Sequence, residues 1–231
     1  MSGSGPRLAP EPATGALPKG RSPLAHLLHA LNQPLTGLQC SLELALAGPR
    51  RPEQYVRALR DGLDLTGRMR VLVEAIRELA DLQQNEIGGS ECFRLDALLR
   101  ETVDELRPVA EGRNLRLSAN CDVALPIQVD RRYLAPLMFR FLECAFSLAS
   151  EGGDLRITAT KNQNRAVLVV CWNDGPPPEY SPFSRTELGL MIAQAGWERA
   201  GADWERRQAG GRQTCTVRWP LAGNPDAENL P

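Results

Sequence analysis

The feature that most constrains the fold is an apolar repeat near the start of the chain. Its residues are separated by alternating steps of four and three, at Leu24, Leu28, Leu31, Leu35, Leu38, Leu42 and Ala45. This 3.5-residue period is typical of a helix that packs in a coiled-coil-like bundle. Ser22-Pro23 predicts the start of the helix, and Gly48-Pro49 predicts its end. We therefore expect one long helix that buries a narrow apolar seam.

A second helical pattern begins at Pro52 and runs to about Gln84. Its later part carries a similar seam, at Leu65, Met69, Leu72, Ile76 and Leu79. Two long helices joined by a few residues form an antiparallel hairpin. A single hairpin leaves an apolar stripe exposed, and two copies can bury it as a four-helix bundle. The sequence therefore predicts a homodimer.

The pattern changes to mixed helix and strand after the linker Gly88-Gly89-Ser90. The predicted element order is βαββαββαββ with mostly antiparallel neighbours, which indicates a two-layer α+β sandwich. Asp96 is expected to cap the first helix of this part. The predicted organisation is a disordered leader (1–22), a helical hairpin (23–86), the α+β sandwich (87–222) and a tail (223–231).

Composition excludes several classes of partner. The formal net charge is -1, which favours neither nucleic acid nor an anionic membrane surface. No apolar run approaches the ~20 residues of a membrane span, and the N-terminus lacks the apolar region of a signal peptide. The six cysteines contain no CxxC pair and lie within apolar patterns. We interpret them as reduced thiols of a cytoplasmic protein, with no metal site.

The stretch from His29 to Leu35, His-Ala-Leu-Asn-Gln-Pro-Leu, resembles the phosphoacceptor motif of two-component sensor histidine kinases, in which H-E-L-x-x-P-L is usual. The resemblance covers about residues 23–222 and includes the F-x-L-D-x-L-L stretch that begins at Phe93. It implies a dimeric bundle that carries a phosphorylated histidine, followed by a nucleotide-binding sandwich of the histidine-kinase ATPase type.

The resemblance assigns roles to the residues around the histidine. His29 would be the phosphoryl carrier, since a neutral imidazole is nucleophilic near pH 7 and forms a phosphoramidate that an aspartate can receive. Gln33 occupies the position that in the family orients water for dephosphorylation of the partner. That partner would be the receiver domain of a response regulator, which would supply Mg²⁺ and its own carboxylates. Its expected docking surface contains Asn32, Thr36 and Gln39.

Several positions depart from the family pattern. The acidic residue that follows the histidine in the family, a base worth ~10²–10⁴-fold in rate, is Ala30 here. The asparagines of the N-L-L-x-N-A box become Arg140 and Cys144, and a thiol is a poor ligand for Mg²⁺. The D-x-G-x-G box begins at Asn173, and the G-L-G-L loop begins at Glu187. The degenerate nucleotide site is predicted at Cys144, Asn173, Asp174, Gly175 and Gly189.

These departures favour one reading among three. The leading hypothesis is a phosphorelay protein whose His29 exchanges a phosphoryl group with receiver aspartates without its own ATP-dependent autophosphorylation. An active sensor kinase core is the first alternative, and only that reading requires Mg-ATP as a cofactor. The second alternative is a non-catalytic pseudokinase that binds a response regulator as a scaffold.

Overall fold

The computed structural model describes residues 22–84, 87–89, 91–121, 123–173, 175 and 184–223. The predicted leader, apart from Ser22, and most of the predicted tail lie outside the described residues. Two long helices come first, α1 (Pro23–Leu46) and α2 (Pro52–Gln84), and they pack against each other as the predicted hairpin. Among the helices described, none has the length and apolar character needed to cross a membrane.

The hairpin buries only part of its apolar seam within one chain. Proline occupies the first turn of α1, and Ser22 stands at the N-cap position without a capping side-chain hydrogen bond. Along α1, the side chains of Leu28, Leu35 and Leu42 remain 49%, 52% and 45% exposed. These three leucines are spaced by seven residues, so they form one uncovered stripe along the helix.

The second part of the chain follows the predicted element order. Its elements are β1 (Glu91–Arg94), α3 (Leu95–Gly112), β2 (Arg116–Asn120), β3 (Pro126–Val129), α4 (Arg131–Leu148), β4 (Asp154–Asn162), β5 (Arg165–Asn173), α5 (Arg185–Arg199), β6 (Asp203–Ala209) and β7 (Arg212–Pro220). The predicted order βαββαββαββ is confirmed. The structure describes no disulfide between the cysteines, all of which lie in its described part.

The strands form a five-stranded sheet and a small two-stranded ribbon. The large sheet has the order β2-β4-β5-β7-β6, in which β2 and β4 are parallel and the other neighbours are antiparallel. The ribbon pairs β1 with β3. Buried side chains of α3, α4 and α5 share one core with the sheet, and this core includes contacts of Phe141 with Trp197 and of Trp197 with Trp219. The expectation of a two-layer α+β sandwich is thus confirmed.

The prediction that Asp96 caps α3 was wrong. The helix begins one residue earlier, at Leu95, and Asp96 is fully buried in its first turn. The carboxylate accepts hydrogen bonds from Arg94, from Arg100 and from the backbone N–H of Leu125, at 2.6, 2.5 and 2.9 Å. Burial alone would raise the pKa of this carboxyl, but the hydrogen bonds and the charge of Arg94 hold that pKa below its usual range. Asp96 therefore joins β1, α3 and the segment before β3 instead of capping a helix.

Candidate functional site

The predicted phosphoacceptor histidine lies on an exposed side of α1. His29 and Gln33 are both exposed, and because they are four residues apart they lie on one face of the helix. Leu27, Ala30 and Pro34 are buried on the other side. Helix α1 therefore separates an exposed surface that carries the imidazole from a buried surface that packs against the rest of the protein.

The residues predicted to dock a receiver continue this exposed surface toward the C-terminal end of α1. Asn32, Thr36 and Gln39 are all exposed. The Thr36 hydroxyl donates to the backbone carbonyl of Asn32 at 2.9 Å, and the Gln39 amide donates to Glu43 at 2.8 Å. Together with His29 and Gln33, these side chains form what we call the acceptor face.

Ala30, which follows the histidine, lies in an apolar cluster that also contains residues of helix α5. It is 2% exposed and belongs to a buried apolar cluster that all three helices α1, α2 and α5 build. The members of this cluster are Leu27, Ala30, Leu72, Ala75, Leu79, Leu188 and Ile192. A carboxylate at position 30 would therefore lie among aliphatic side chains, where an unpaired charge is costly.

Helices α4 and α5 are in direct contact at the positions predicted to form the degenerate nucleotide site. Cys144 of α4 is buried, and burial raises the pKa of its thiol to about 12 against a smaller opposing effect of Arg140. Gly189 lies inside α5, and a Cβ atom added to it would be 2.5 Å from the Cys144 sulfur. A neutral thiol therefore fills the space beside Gly189.

The remaining predicted positions of this site lie near the end of β5. Asn173 is the last residue of β5, and its carbonyl accepts the backbone N–H of Ser150 at 2.9 Å. The Gly175 N–H donates to the carbonyl of Leu148 at 3.2 Å, so Gly175 also lies close to the end of α4. Asp174 lies outside the described residues.

A cavity of about 340 Å³ lies between α2, α4 and α5, beside Cys144 and Gly189. Its charged lining consists of three carboxylates and two guanidinium groups, from Glu74, Glu78, Glu143, Arg140 and Arg185. Carboxylates repel the phosphates of a nucleotide, and a thiol is a poor replacement for the hard oxygen ligands that Mg²⁺ requires. Among the described residues, no group of three or more His, Cys, Asp and Glu side chains could hold a metal ion. The described residues that line this cavity are a poor fit to Mg-ATP.

Sequence reasoning missed the residues of α2 that face this cavity. Arg140 donates to both carboxylate oxygens of Glu78, with a distance of 3.1 Å between Nη2 and Oε1. The two residues are 62 positions apart, so no local pattern indicates the pair. The sequence of α5 did carry a signal, since its apolar residues point in two directions. Leu188 and Ile192 face the hairpin cluster, whereas Leu190, Ala193 and Trp197 face the sandwich core.

Comparison with known proteins agrees with this architecture. Residues 23–85 match the His Kinase A (phospho-acceptor) domain. The adaptive-response sensory kinase SasA of Synechococcus sp. (strain JA-2-3B'a(2-13)) is 26% identical over 161 residues, which cover 66% of this chain and 42% of SasA. The alginate biosynthesis sensor protein KinB of Pseudomonas aeruginosa is 28% identical over 182 residues, which cover 75% of this chain and 29% of KinB. The chain thus spans less than half the length of these curated relatives.

Solved structures show the same fold. The histidine kinase AdeS of Acinetobacter baumannii superposes with a TM-score of 0.54 at 20% identity, covering 84% of this chain and 98% of AdeS. Histidine kinase ThkA, solved in complex with the response regulator protein TrrA, superposes with a TM-score of 0.57 at 18% identity, covering 86% of this chain and 60% of that one. The phosphoacceptor-domain match over residues 23–85, the sensor-kinase relatives and the shared fold together support a relationship to the two-component sensor histidine kinase family.

Proposed function

We propose that this protein is a histidine phosphotransfer component of a two-component phosphorelay. In this proposal His29 carries a phosphoryl group to or from the aspartates of receiver domains, and the chain does not phosphorylate itself with ATP. The single observation that carries the proposal is the contact of Cys144 with Gly189, because it places a buried thiol where the family resemblance expects a Mg-nucleotide site. The exposed imidazole of His29 is compatible with a donor that comes from another protein.

The proposed transfer is a balanced exchange between two nucleophiles. The neutral imidazole of His29 attacks the phosphorus of a receiver's aspartyl phosphate, a P–N bond forms, and the P–O bond to the carboxylate breaks. The aspartate leaves as a carboxylate, and the imidazole becomes a phosphoramidate. In the reverse direction a receiver carboxylate attacks the same phosphorus and the imidazole leaves. No nucleotide takes part in either direction, and divalent metal belongs to the receiver.

The acceptor face is the proposed docking surface for the receiver. Its exposed polar side chains, Asn32, Gln33, Thr36 and Gln39, lie on the same helix as His29. The response regulator in the ThkA complex is a precedent for such a partner in a protein of this fold. Gln33 lies one turn from His29, where its amide can orient a water molecule toward a phosphorylated receiver.

We also propose that two copies of the chain associate through their hairpins. The uncovered stripe of Leu28, Leu35 and Leu42 has the seven-residue spacing of a bundle seam. A four-helix bundle of two hairpins would bury this stripe. The proposed dimerisation unit is residues 23–86, and the proposed sandwich domain is residues 87–222.

The test is a phosphoryl labelling experiment with two separate donors. The purified chain is incubated with a panel of phosphorylated receiver domains and, in parallel, with radiolabelled Mg-ATP. The receivers should label the parent protein, and the label should be lost in acid, as expected for a phosphoramidate. His29→Ala should abolish this labelling. His26→Ala is the matched control, because His26 lies one turn earlier on α1, and it should leave the labelling intact.

Other outcomes would contradict the proposal in different ways. Labelling by Mg-ATP that disappears in His29→Ala would establish an active kinase. Receiver binding without any transfer, unchanged in His29→Ala, would favour a non-catalytic scaffold.

A further inference from the structure

The face of the sandwich that carries the degenerate nucleotide site lies against the phosphoacceptor hairpin. In its apolar half, Leu188 and Ile192 of α5 contact the cluster that contains Ala30 of α1 and Ala75 of α2. Ala30 is 2% exposed, so its small side chain is enclosed in this cluster directly after the histidine. Burial of apolar side chains stabilises the contact between the sandwich and the hairpin, but it does little to fix their relative orientation.

The other half of this contact is ionic and directional. Arg140 donates two hydrogen bonds to the Glu78 carboxylate. This bidentate geometry fixes the orientation of the two side chains as well as the distance between them. Arg185 lies 3.5 Å from the Glu74 carboxylate, on the preceding turn of α2. These two ion pairs therefore hold helices α4, α5 and α2 in one relative orientation.

The position of Glu78 makes this contact an alternative to a nucleotide. Arg140 stands where the family resemblance expects an asparagine, and its guanidinium reaches out of the sandwich to α2. Glu78 and Glu74 line the cavity beside Cys144, so α2 brings two carboxylates to the predicted degenerate nucleotide site. The group that Arg140 binds is therefore a carboxylate of the same chain, that of Glu78.

We infer that α4 and α5 form a built-in docking site for α2, which holds the sandwich on the hairpin in one orientation without any nucleotide. We call this contact of α4 and α5 with α2 the latch. Arg140 is the residue that positions it, and Ala30 is small enough to allow the apolar part of the contact to form. The latch keeps the acceptor face open because it uses the opposite, buried side of α1. It does not depend on the proposed phosphotransfer and can be tested without a phosphoryl donor.

The experiment measures the distance between the two parts of the full-length chain. Spin labels are attached to the native Cys40 on α1 and to Lys161→Cys on β4, both exposed positions. The background carries Cys92→Ser and Cys171→Ser, and the other three cysteines are buried. An excess of unlabelled protein suppresses distances between copies. Pulsed electron resonance should give one narrow distance distribution, unchanged by Mg-ATP.

Reversing the charge of Arg140 or of Glu78 should undock the sandwich from the hairpin, and reversing both charges together should restore docking. Because the Arg140 and Glu78 side chains are 35% and 43% exposed, their attraction is partly screened. Arg140→Glu or Glu78→Arg should each raise the ratio of undocked to docked molecules about tenfold, through loss of the pair and like-charge repulsion. The double variant should restore the narrow distribution. Arg116→Glu is the matched control, because its pair with Asp154 lies within the sandwich.

Two further variants keep the test decisive. Arg140→Gln removes the ion pair without repulsion and should give a smaller broadening in the same direction. Ala30→Glu should undock α5 from the apolar side, and near-ultraviolet circular dichroism of the tryptophan cluster reports whether the sandwich stays folded. A broad distribution in the parent protein would overturn the inference, and so would a narrow one that persists in both charge reversals.

Discussion

Replacement of Gly189 by alanine tests the packing of the predicted degenerate nucleotide site directly. The added methyl group would lie 2.5 Å from the Cys144 sulfur, about 1 Å inside an ordinary van der Waals contact. Cys144 is only 7% exposed, and its side chain borders the cavity between α2, α4 and α5. Gly189 is helical and its added Cβ meets the Cys144 side chain of α4, which makes the substitution a probe of α4–α5 packing.

Two opposing contributions set the magnitude of the effect. Overpacking of a core contact costs about 1–3 kcal/mol. The change from glycine to alanine within a helix returns about 1 kcal/mol through backbone propensity. The net loss in the free energy of unfolding should be roughly 0–2 kcal/mol, which is too close to zero to be decisive alone. The coupling between positions 189 and 144 is therefore the informative quantity.

The assay is a double-mutant cycle of urea unfolding followed by tryptophan fluorescence. All four tryptophans lie in the sandwich, so their emission reports that part of the chain. Cys144→Ala alone should cost about 1–2 kcal/mol because it leaves a small cavity. In the double variant the new methyl group enters the space of the lost sulfur. The combined loss should thus fall below the sum of the single losses by about 1–2 kcal/mol.

The control is a glycine whose surroundings leave room for an added methyl group. Gly112 is the last residue of α3, and an added Cβ there meets nothing within 4 Å. Gly112→Ala should change the unfolding free energy by less than about 1 kcal/mol and show no coupling to Cys144→Ala. Additive losses for Gly189→Ala and Cys144→Ala would refute the packing argument. A stabilisation by the full helix-propensity gain would do the same.

Two further predictions concern the buried carboxylate and the exposed stripe. Asp96→Asn should lower the unfolding free energy by about 1–3 kcal/mol at neutral pH, because Arg94 and Arg100 lose their charged acceptor. The folded-state pKa of Asp96 is lowered, so its stabilisation is present above the unfolded-state pKa of about 3.9 and is lost as pH falls through the folded value. Urea curves of parent and variant should therefore converge in acid, and a constant gap down to about pH 3 would contradict this account. Leu35→Glu should convert the proposed dimer to monomers in sedimentation experiments, whereas Thr36→Ala should remain dimeric. A Leu35→Glu dimer of parental affinity would exclude this seam.

The element order was predictable because each element has its own local period. The four-and-three spacing identified α1 and α2, and the alternation of strands with helices identified the sandwich. Strand neighbours were harder to predict, since the parallel pairing of β2 with β4 depends on how the intervening elements pack. The role of Asp96 was missed for a similar reason. Its acceptor role includes the Leu125 amide, 29 residues away, whereas a capping prediction considers only adjacent positions.

For the candidate site, the sequence predicted which residues matter better than it predicted what they touch. The exposure of His29 follows from its place beside the seam, and the substitutions at positions 140 and 144 could be read from the resemblance. Their new neighbours could not be read, because the contact of Arg140 with Glu78 and that of Cys144 with Gly189 join distant segments. A second apolar face on α5 was the available signal that the sandwich packs on the hairpin.

The departures from the family pattern are connected by the packing of four helices, α1, α2, α4 and α5. Ala30 shares a buried cluster with residues of α5, Arg140 is bound to Glu78 of α2, and Cys144 fills the space beside Gly189. Restoring one family residue at a time should therefore disturb an existing contact before it improves any nucleotide chemistry. An acid at position 30 would enter an aliphatic cluster, and an asparagine at position 140 would release Glu78 beside two other carboxylates of the same cavity. Arg140 departs from the family pattern at the predicted nucleotide site and also contacts α2 of the hairpin, so its replacement should disturb the contact between the two parts of the chain.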